Sequence, residues 1–214
     1  MADLELRPEQ VRVLGALVEK SVSTPNNYPM TVNAITTAAN QKNARVPLMQ
    51  LSEVDVQRTL TDLESMNLVD RDDTSRRASK WTHQFRSQML LKTPAQAVLV
   101  TLMLRGPQTS AELLRNAQSL HGPTSSDALD AVLEDLSDRG RPLVQLLPRA
   151  PGQKESRWVH LLCGEPDPAH LAAAANPASS GGGGGSAQEE RIAALEQRVA
   201  TLESRIEELD ALLR

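Results

Sequence analysis

The sequence predicts a mainly α-helical fold with small β-hairpins, of the α+β class, and two observations lead to this prediction. The first is an internal repeat within residues 1–163, whose two copies match in three segments that follow in the same order. The second is the pattern inside each copy, where stretches with apolar residues at helical spacing precede two short alternating stretches. A heptad pattern near residue 214 adds a predicted coiled-coil helix.

The internal repeat is clearest around the two tryptophans. Residues 79–83 read Ser-Lys-Trp-Thr-His, and residues 156–160 read Ser-Arg-Trp-Val-His. Two upstream segments match as well, one with Val56, Leu60 and Leu63 against Leu129, Leu133 and Leu136, and one that begins at Pro8 against Pro94. Because the three segments keep their order and only loop lengths differ, we interpret residues 1–88 and 89–163 as two copies of one domain.

Each copy is predicted to hold three helices followed by a two-stranded hairpin. In the first copy the predicted helices are Pro8–Lys20, Thr31–Ala39 and Glu53–Met66, and Ser52 caps the last of them. The first strand of this copy begins at Leu68, and the return strand covers Ser79–Phe85. In the second copy the helices are Pro94–Leu104, Ser110–Ala117 and Ser125–Ser137, and the strands are Leu143–Leu147 and Ser156–Leu162. This order is that of a winged helix, a helix-turn-helix with an added hairpin, so the sequence predicts two winged-helix domains in tandem.

A flexible linker and a coiled coil are predicted after the two copies. Residues 164–187 are rich in Ala, Pro and Gly, a composition that cannot bury a core. Residues 188–214 follow heptads with Arg at g and Glu or Asp at e, which favours parallel pairing between copies of the chain. The predicted oligomerisation positions are Ile192, Leu195, Val199, Leu202, Ile206, Leu209 and Leu213. We expect a parallel homodimer or trimer, and a single helix folded back onto the body is the alternative.

Charge and composition limit the partners and the compartment. Residues 1–163 carry 19 basic and 18 acidic residues, so this part is nearly neutral and the net charge of −4 comes from the C-terminal part. The nearly neutral part therefore offers no long-range attraction for nucleic acid. Apolar runs are too short to span a bilayer, and the first residues do not read as a signal peptide. The single cysteine, Cys163, fits a reducing compartment. We therefore expect a cytoplasmic protein without a membrane partner.

Three segments carry a resemblance to a known family. They are residues 24–33 (TPNNYPMTVN), residues 40–42 (NQK) and residues 155–161 (ESRWVHL). With these segments the chain resembles the YceH-like family of uncharacterised bacterial proteins over residues 4–163 and, more loosely, over the terminal coil. The resemblance implies a tandem winged-helix fold in a bacterial cytoplasmic protein and implies no particular activity.

The sequence offers no pattern typical of an enzyme. None of its four histidines, His83, His121, His160 and His170, has metal-ligand spacing to another histidine or to the cysteine. The run of five glycines lacks the features of a phosphate-binding loop, and nothing selects a catalytic triad. His83 and His160 occupy matching strand positions, which favours a structural role. We expect no catalytic residue, no cofactor and no metal site.

The third helices of the two copies are rich in carboxylates. Glu53, Asp55, Asp62 and Glu64 face only Arg58 in the first copy, and Asp127, Asp130, Glu134, Asp135 and Asp138 have no basic partner before Arg139 in the second. These helices would enter the major groove in the usual docking of the fold. Because carboxylates repel phosphates, the sequence argues against that docking.

Basic residues gather instead on the predicted hairpin tips and in the long connection between residues 40 and 51. The candidate phosphate contacts are Lys42, Arg45, Arg71, Arg76, Arg77, Lys80, Arg149, Lys154 and Arg157. Charge placed there only for solubility is the alternative. Two functions remain, DNA binding through these residues and a protein-docking scaffold of paired winged helices. The basic clusters favour DNA binding slightly.

Overall fold

The computed structural model describes residues 5–72, 79–149 and 153–166, which all lie in one compact unit, Met1–Ala175. Within these residues the fold is α+β, as the sequence predicts, with seven α-helices where six were predicted and five short antiparallel strands where four were predicted. Residues 167–214 lie outside the described residues, so the predicted coiled coil and most of the predicted linker stay predictions. The helices are α1 Pro8–Ser23, α2 Val32–Ala39, α3 Glu53–Ser65, α4 Phe85–Gln88, α5 Thr93–Arg105, α6 Ser110–Ala117 and α7 Ser126–Ser137. The strands are β1 Met30–Thr31, β2 Val69–Asp72, β3 Lys80–His83, β4 Val144–Leu147 and β5 Arg157–His160.

Short polar side chains fix where most of the helices begin. Thr31, Ser52, Thr109 and Ser125 each accept a hydrogen bond from a backbone N–H in the first turn of the helix that follows. Such a bond satisfies one of the donors that a helix N-terminus leaves unpaired. The cap at Ser52 confirms the predicted start of α3, α6 has its predicted bounds, and every other predicted helix end lies within three residues of the observed one.

Each half of the unit has the same order of elements, and one strand of that order was not predicted. β1 pairs with β3 through Met30 and Trp81, so the first sheet has three strands in the order β1-β3-β2. In the second half, Gln108 forms the equivalent bridge to Trp158 beside the β4–β5 pair. Two residues are too few to show an alternating pattern, which explains why the sequence does not reveal β1.

The two halves share one core. α1 packs against α5, and buried side chains of both halves form a single hydrophobic cluster that includes Leu14, Leu17, Leu99 and Leu102. The close approach of these helices depends on Gly15, since a β-carbon there would lie 3.1 Å from Leu104 Cδ2.

The predicted return strand to Phe85 is too long, because Phe85 already begins α4 and is itself buried.

Candidate nucleic-acid interface

α3 presents a polar, exposed face opposite its buried one. Val56, Leu60 and Leu63 are fully buried and hold the helix on the core. Thr59 is buried with them, and helical geometry turns the residues on the opposite side of the helix outward. The exposed residues of this outward face are Val54, Gln57, Arg58 and Thr61. All three polar residues of this set are types that hydrogen-bond base edges in DNA complexes.

Three of the carboxylates of α3 are engaged in contacts within the fold. Asp55 accepts hydrogen bonds from the backbone N–H and the hydroxyl of Ser52, and these bonds lower its pKa. The amide of Asn33 on α2 donates to Glu53 at 2.7 Å. Asp62 accepts from Arg7 Nη2 at 2.5 Å. The expectation that Asp62 has only Arg58 for balance is therefore wrong, because the neutralising cation comes from the start of α1.

The third helix of the second half, α7, has a different outward face. Asp127, Asp130, Glu134 and Asp138 are exposed and lie at spacings of three and four residues, so they form one acidic stripe. Asp135 lies beside the stripe and pairs with Arg139 at 2.9 Å. The exposure of these carboxylates places a row of negative charge on the surface of α7. This agrees with the acidic character of the helix that the sequence indicates.

Eight of the nine candidate phosphate contacts fall into three groups, and the ninth, Arg45, is buried. Lys42, Arg71, Arg149 and Lys154 are exposed, whereas Lys80 and Arg157 are half-buried. Arg157 is engaged, since it donates to Glu112 at 2.8 Å and to the carbonyl of Pro107 at 3.1 Å. Arg76 and Arg77 lie outside the described residues.

Arg45 is buried, so its prediction as a cation at an exposed turn is wrong. Its side chain is fully enclosed and donates to both carboxylate oxygens of Glu19, at 2.6 and 3.2 Å. It also donates to Gln41 and to the carbonyls of Ala38 and Ala44, so that all five of its N–H donors are engaged. A guanidinium whose N–H donors are engaged in this way anchors its loop and has no donor left for a phosphate.

Arg45 belongs to a group of basic residues, and the other members lie in the last turns of helices. Lys20, Arg105 and Arg115 stand in the last turns of α1, α5 and α6. Burial lowers the pKa of Arg105, Glu19 raises it, and the charges of Arg45 and Arg115 lower it further. Glu19 contacts Lys20 at 3.6 Å and Arg45 at 2.6 Å, and the partial negative charge of the helix C-termini offsets a further part of this positive charge.

The connection from Asn40 to Leu51 is held by polar contacts. The amide of Asn40 bonds both backbone groups of Leu51, at 2.8 and 2.9 Å. Buried Arg12 donates to the carbonyl of Pro47 at 2.6 Å, and burial lowers its pKa to about 10. Leu48 in this connection is 67% exposed, so its side chain does not hold the connection on the core.

His83 has a structural environment that matches its predicted role. Its Nε2 lies 3.0 Å from Ser21 Oγ, and that hydroxyl already donates to the carbonyl of Val18. Ser21 therefore accepts from His83, which is the reverse of what a histidine base requires. Burial lowers the pKa of His83 and of its counterpart His160 to about 4, so both rings are neutral at pH 7.

Among the described ranges, no group of three or more His, Cys, Asp or Glu side chains is placed to hold a metal ion. No described helix is long and apolar enough to cross a bilayer. His170 lies outside the described residues.

Comparison with known proteins identifies the family. Residues 6–153 match the family model described as "Protein of unknown function, DUF480". A UPF0502 protein of Burkholderia orbicola strain MC0-3 is 44% identical over 170 residues, which cover 79% of this chain and 72% of the relative. A UPF0502 protein of Burkholderia pseudomallei strain 668 is 44% identical over 172 residues, 78% of this chain and 73% of the relative. These matches agree with the YceH-like resemblance, and the chain belongs to the DUF480 (UPF0502) family of bacterial proteins.

Proposed function

We propose that this protein is a non-enzymatic DNA-binding protein that holds duplex DNA with the first of two tandem winged-helix domains. The order of elements in each half, a helix, a short strand or bridge, two helices and a hairpin, supports the fold assignment. In winged-helix proteins the third helix enters the major groove and the hairpin contacts the backbone. α3 and the β2–β3 hairpin take these two roles in the first domain.

The observation that carries the proposal is the outward face of α3. Three carboxylates that made this helix look repulsive are bound to Asn33, Ser52 and Arg7, while the exposed face carries Gln57, Arg58 and Thr61. Arg7 balances the charge of Asp62, whereas Glu53 and Asp55 keep their negative charge and are held by neutral donors. The repulsion between α3 and a phosphate is therefore reduced at Asp62, and the exposed polar face between the carboxylates supplies the groups that contact DNA.

Exposed cations next to α3 in the sequence supply the phosphate contacts. Lys42 lies in the connection that leads into α3, and Arg71 lies on β2 of the hairpin. Lys80 on β3 adds to these contacts in our proposal, as do Arg149 and Lys154 near the second hairpin, while Arg76 and Arg77 belong to the same proposed set but lie outside the described residues. The cytoplasm of a bacterium is the compartment in which such a protein would meet DNA.

Fluorescence anisotropy of a labelled random duplex, titrated with full-length protein over a salt series, tests the proposal. We expect binding that weakens steeply with salt, and a slope of log K against log salt that falls by about one unit in Lys42→Ala and in Arg71→Ala. Lys92→Ala removes an exposed cation at the start of α5 and serves as the control with the same loss of charge. Absence of binding at low salt would refute the proposal.

A protein-docking scaffold is the second candidate function, and the acidic stripe of α7 favours it. Its four exposed carboxylates would repel DNA and attract a basic protein surface. Reversal of Asp130 and Glu134 to Lys should then abolish capture of the partner in a pull-down, whereas Glu155→Lys, which changes an exposed carboxylate outside α7, should leave it unchanged. A partner that is retained by the double reversal would exclude α7 as the docking surface.

A further inference from the structure

Val54 is an apolar residue on the polar face of α3. It is the second residue of the helix, and its side chain is 77% exposed, the highest value among the large apolar residues that the structure describes. A single exposed valine is ordinary on a protein surface. The neighbours of Val54 make it notable, because Gln57 and Arg58 lie one turn further along the same exposed face.

We infer that α3 reads base identity in the major groove, with Val54 packed against the 5-methyl group of a thymine. The inference rests on the proposed function and adds a sequence preference to it. In the major groove the thymine methyl is the apolar feature that side chains contact, and recognition helices reach base edges with their N-terminal residues. Val54 has both the chemistry and the position for this contact.

The other exposed residues of the face complete a set of base contacts. The guanidinium of Arg58 matches O6 and N7 of guanine, and the amide of Gln57 matches N6 and N7 of adenine. Neither residue has a hydrogen bond to another side chain among the contacts described for α3, in contrast to Glu53 and Asp62. Glu53 and Asp62 are thus engaged with other residues of the protein, and the outward face keeps groups suited to DNA.

The experiment begins with selection of preferred duplexes from a randomised library by the full-length protein. Each thymine of the preferred duplex is then replaced by deoxyuridine, which removes only the methyl group. We expect one replacement to weaken binding about fourfold, the factor that corresponds to one buried methyl group. Val54→Ala should weaken binding to the thymine duplex by a similar factor and abolish the difference between thymine and deoxyuridine, as a double-mutant cycle requires.

A matched control and the opposite outcomes make the inference testable on its own. Leu90 is 76% exposed and lies outside α3, so Leu90→Ala should keep the full discrimination between thymine and deoxyuridine. Salt-dependent binding without any sequence preference would overturn the inference and leave the proposed function standing. Discrimination that persists in Val54→Ala would also overturn it, because another residue would then read the methyl group. Absence of duplex binding at low salt would refute the proposed function as well.

Discussion

Arg7 Nη2 lies 2.5 Å from Asp62 Oδ2, which joins the start of α1 to the last turns of α3 across 55 residues of sequence. The pair is exposed, and the same guanidinium also donates to Glu9 at 2.7 Å. Exposed pairs of this kind contribute little to stability. The relevance of this pair is electrostatic, because it neutralises a carboxylate on the helix that we propose to face DNA.

The first prediction follows from that pair. Arg7→Gln should weaken duplex binding a few-fold, since it leaves the Asp62 carboxylate unbalanced near the phosphates. Asp62→Asn in the same chain should restore binding, because it removes the carboxylate that Arg7 neutralises. Anisotropy titrations at one low salt concentration compare the single and double variants. If the double variant binds as weakly as Arg7→Gln, Arg7 contacts DNA itself and the neutralising role is wrong.

The second prediction concerns the contact between the two halves. Gly15→Val should lower the free energy of unfolding by about 1–3 kcal/mol, the usual cost of excess volume in a packed core. The added side chain would meet Leu104 and Met103 on α5, because a β-carbon on residue 15 would lie 3.1 Å from Leu104 Cδ2 and 3.5 Å from Met103 Cβ. Gly140→Val is the control, since a β-carbon there has open space within 4 Å. Urea unfolding curves measure both, and an equal effect at the two glycines would contradict the packing argument.

The third prediction separates the structural cation of the 40–51 connection from the exposed one. Arg45→Met should lower stability by about 3 kcal/mol, because it leaves the half-buried Glu19 without its bidentate partner. Lys42→Met, in the same connection but exposed, should change stability by less than about 0.5 kcal/mol. Chemical denaturation gives both values. A destabilised Lys42→Met with an unaffected Arg45→Met would reverse the assignment of the two residues.

The fourth prediction is a loss of stability in acid. Burial holds the pKa values of His83 and His160 at about 4, below the value near 6.5 of an unfolded histidine. Between pH 6.5 and 4 the unfolded chain therefore binds more protons than the native one, and stability falls as the pH is lowered. Each histidine contributes a slope of about 1.4 kcal/mol per pH unit at most.

Denaturation at several pH values measures this slope and assigns it to residues. His83→Gln keeps a donor for Ser21 and should remove about half of the two-histidine contribution. His121→Asn is the control, because His121 is exposed and asparagine tolerates its left-handed backbone, φ 61°. A slope that is unchanged by His83→Gln would show that other groups cause the acid sensitivity.

The sequence predicts the helices well because their signals are local. Ser52 and Asp55 form a capping box that can be read three residues apart, and the buried line of Val56, Leu60 and Leu63 marks the inner face of α3. The candidate site depends instead on contacts between distant residues. Neither the partner of Asp62, at Arg7, nor that of Arg45, at Glu19, follows from periodicity or spacing.

Those two distant contacts change the interpretation in opposite directions. Arg45 looked exposed because it stands in a polar connection, but its pairing with Glu19 removes it from the surface. Asp62 looked free because its own helix offers only Arg58, but α1 supplies a cation. A residue that belongs to a charged pair has to be placed in three dimensions before its charge can be counted for a partner.

The last prediction concerns the coiled coil, which lies outside the described residues and remains a prediction from heptads. Truncation after Pro177 should give a monomer by light scattering, because it removes every predicted core position from Ile192 to Leu213. Replacement of Val199 and Leu202 by Asp in the full chain should have the same effect and controls for the loss of length. Both variants should also bind a long duplex more weakly than the intact chain, since they lose simultaneous contact by two or more linked domains. Retention of the full-length oligomeric state by either variant would refute the assembly role of the coil, and unchanged DNA affinity in a proven monomer would show that one chain binds DNA alone.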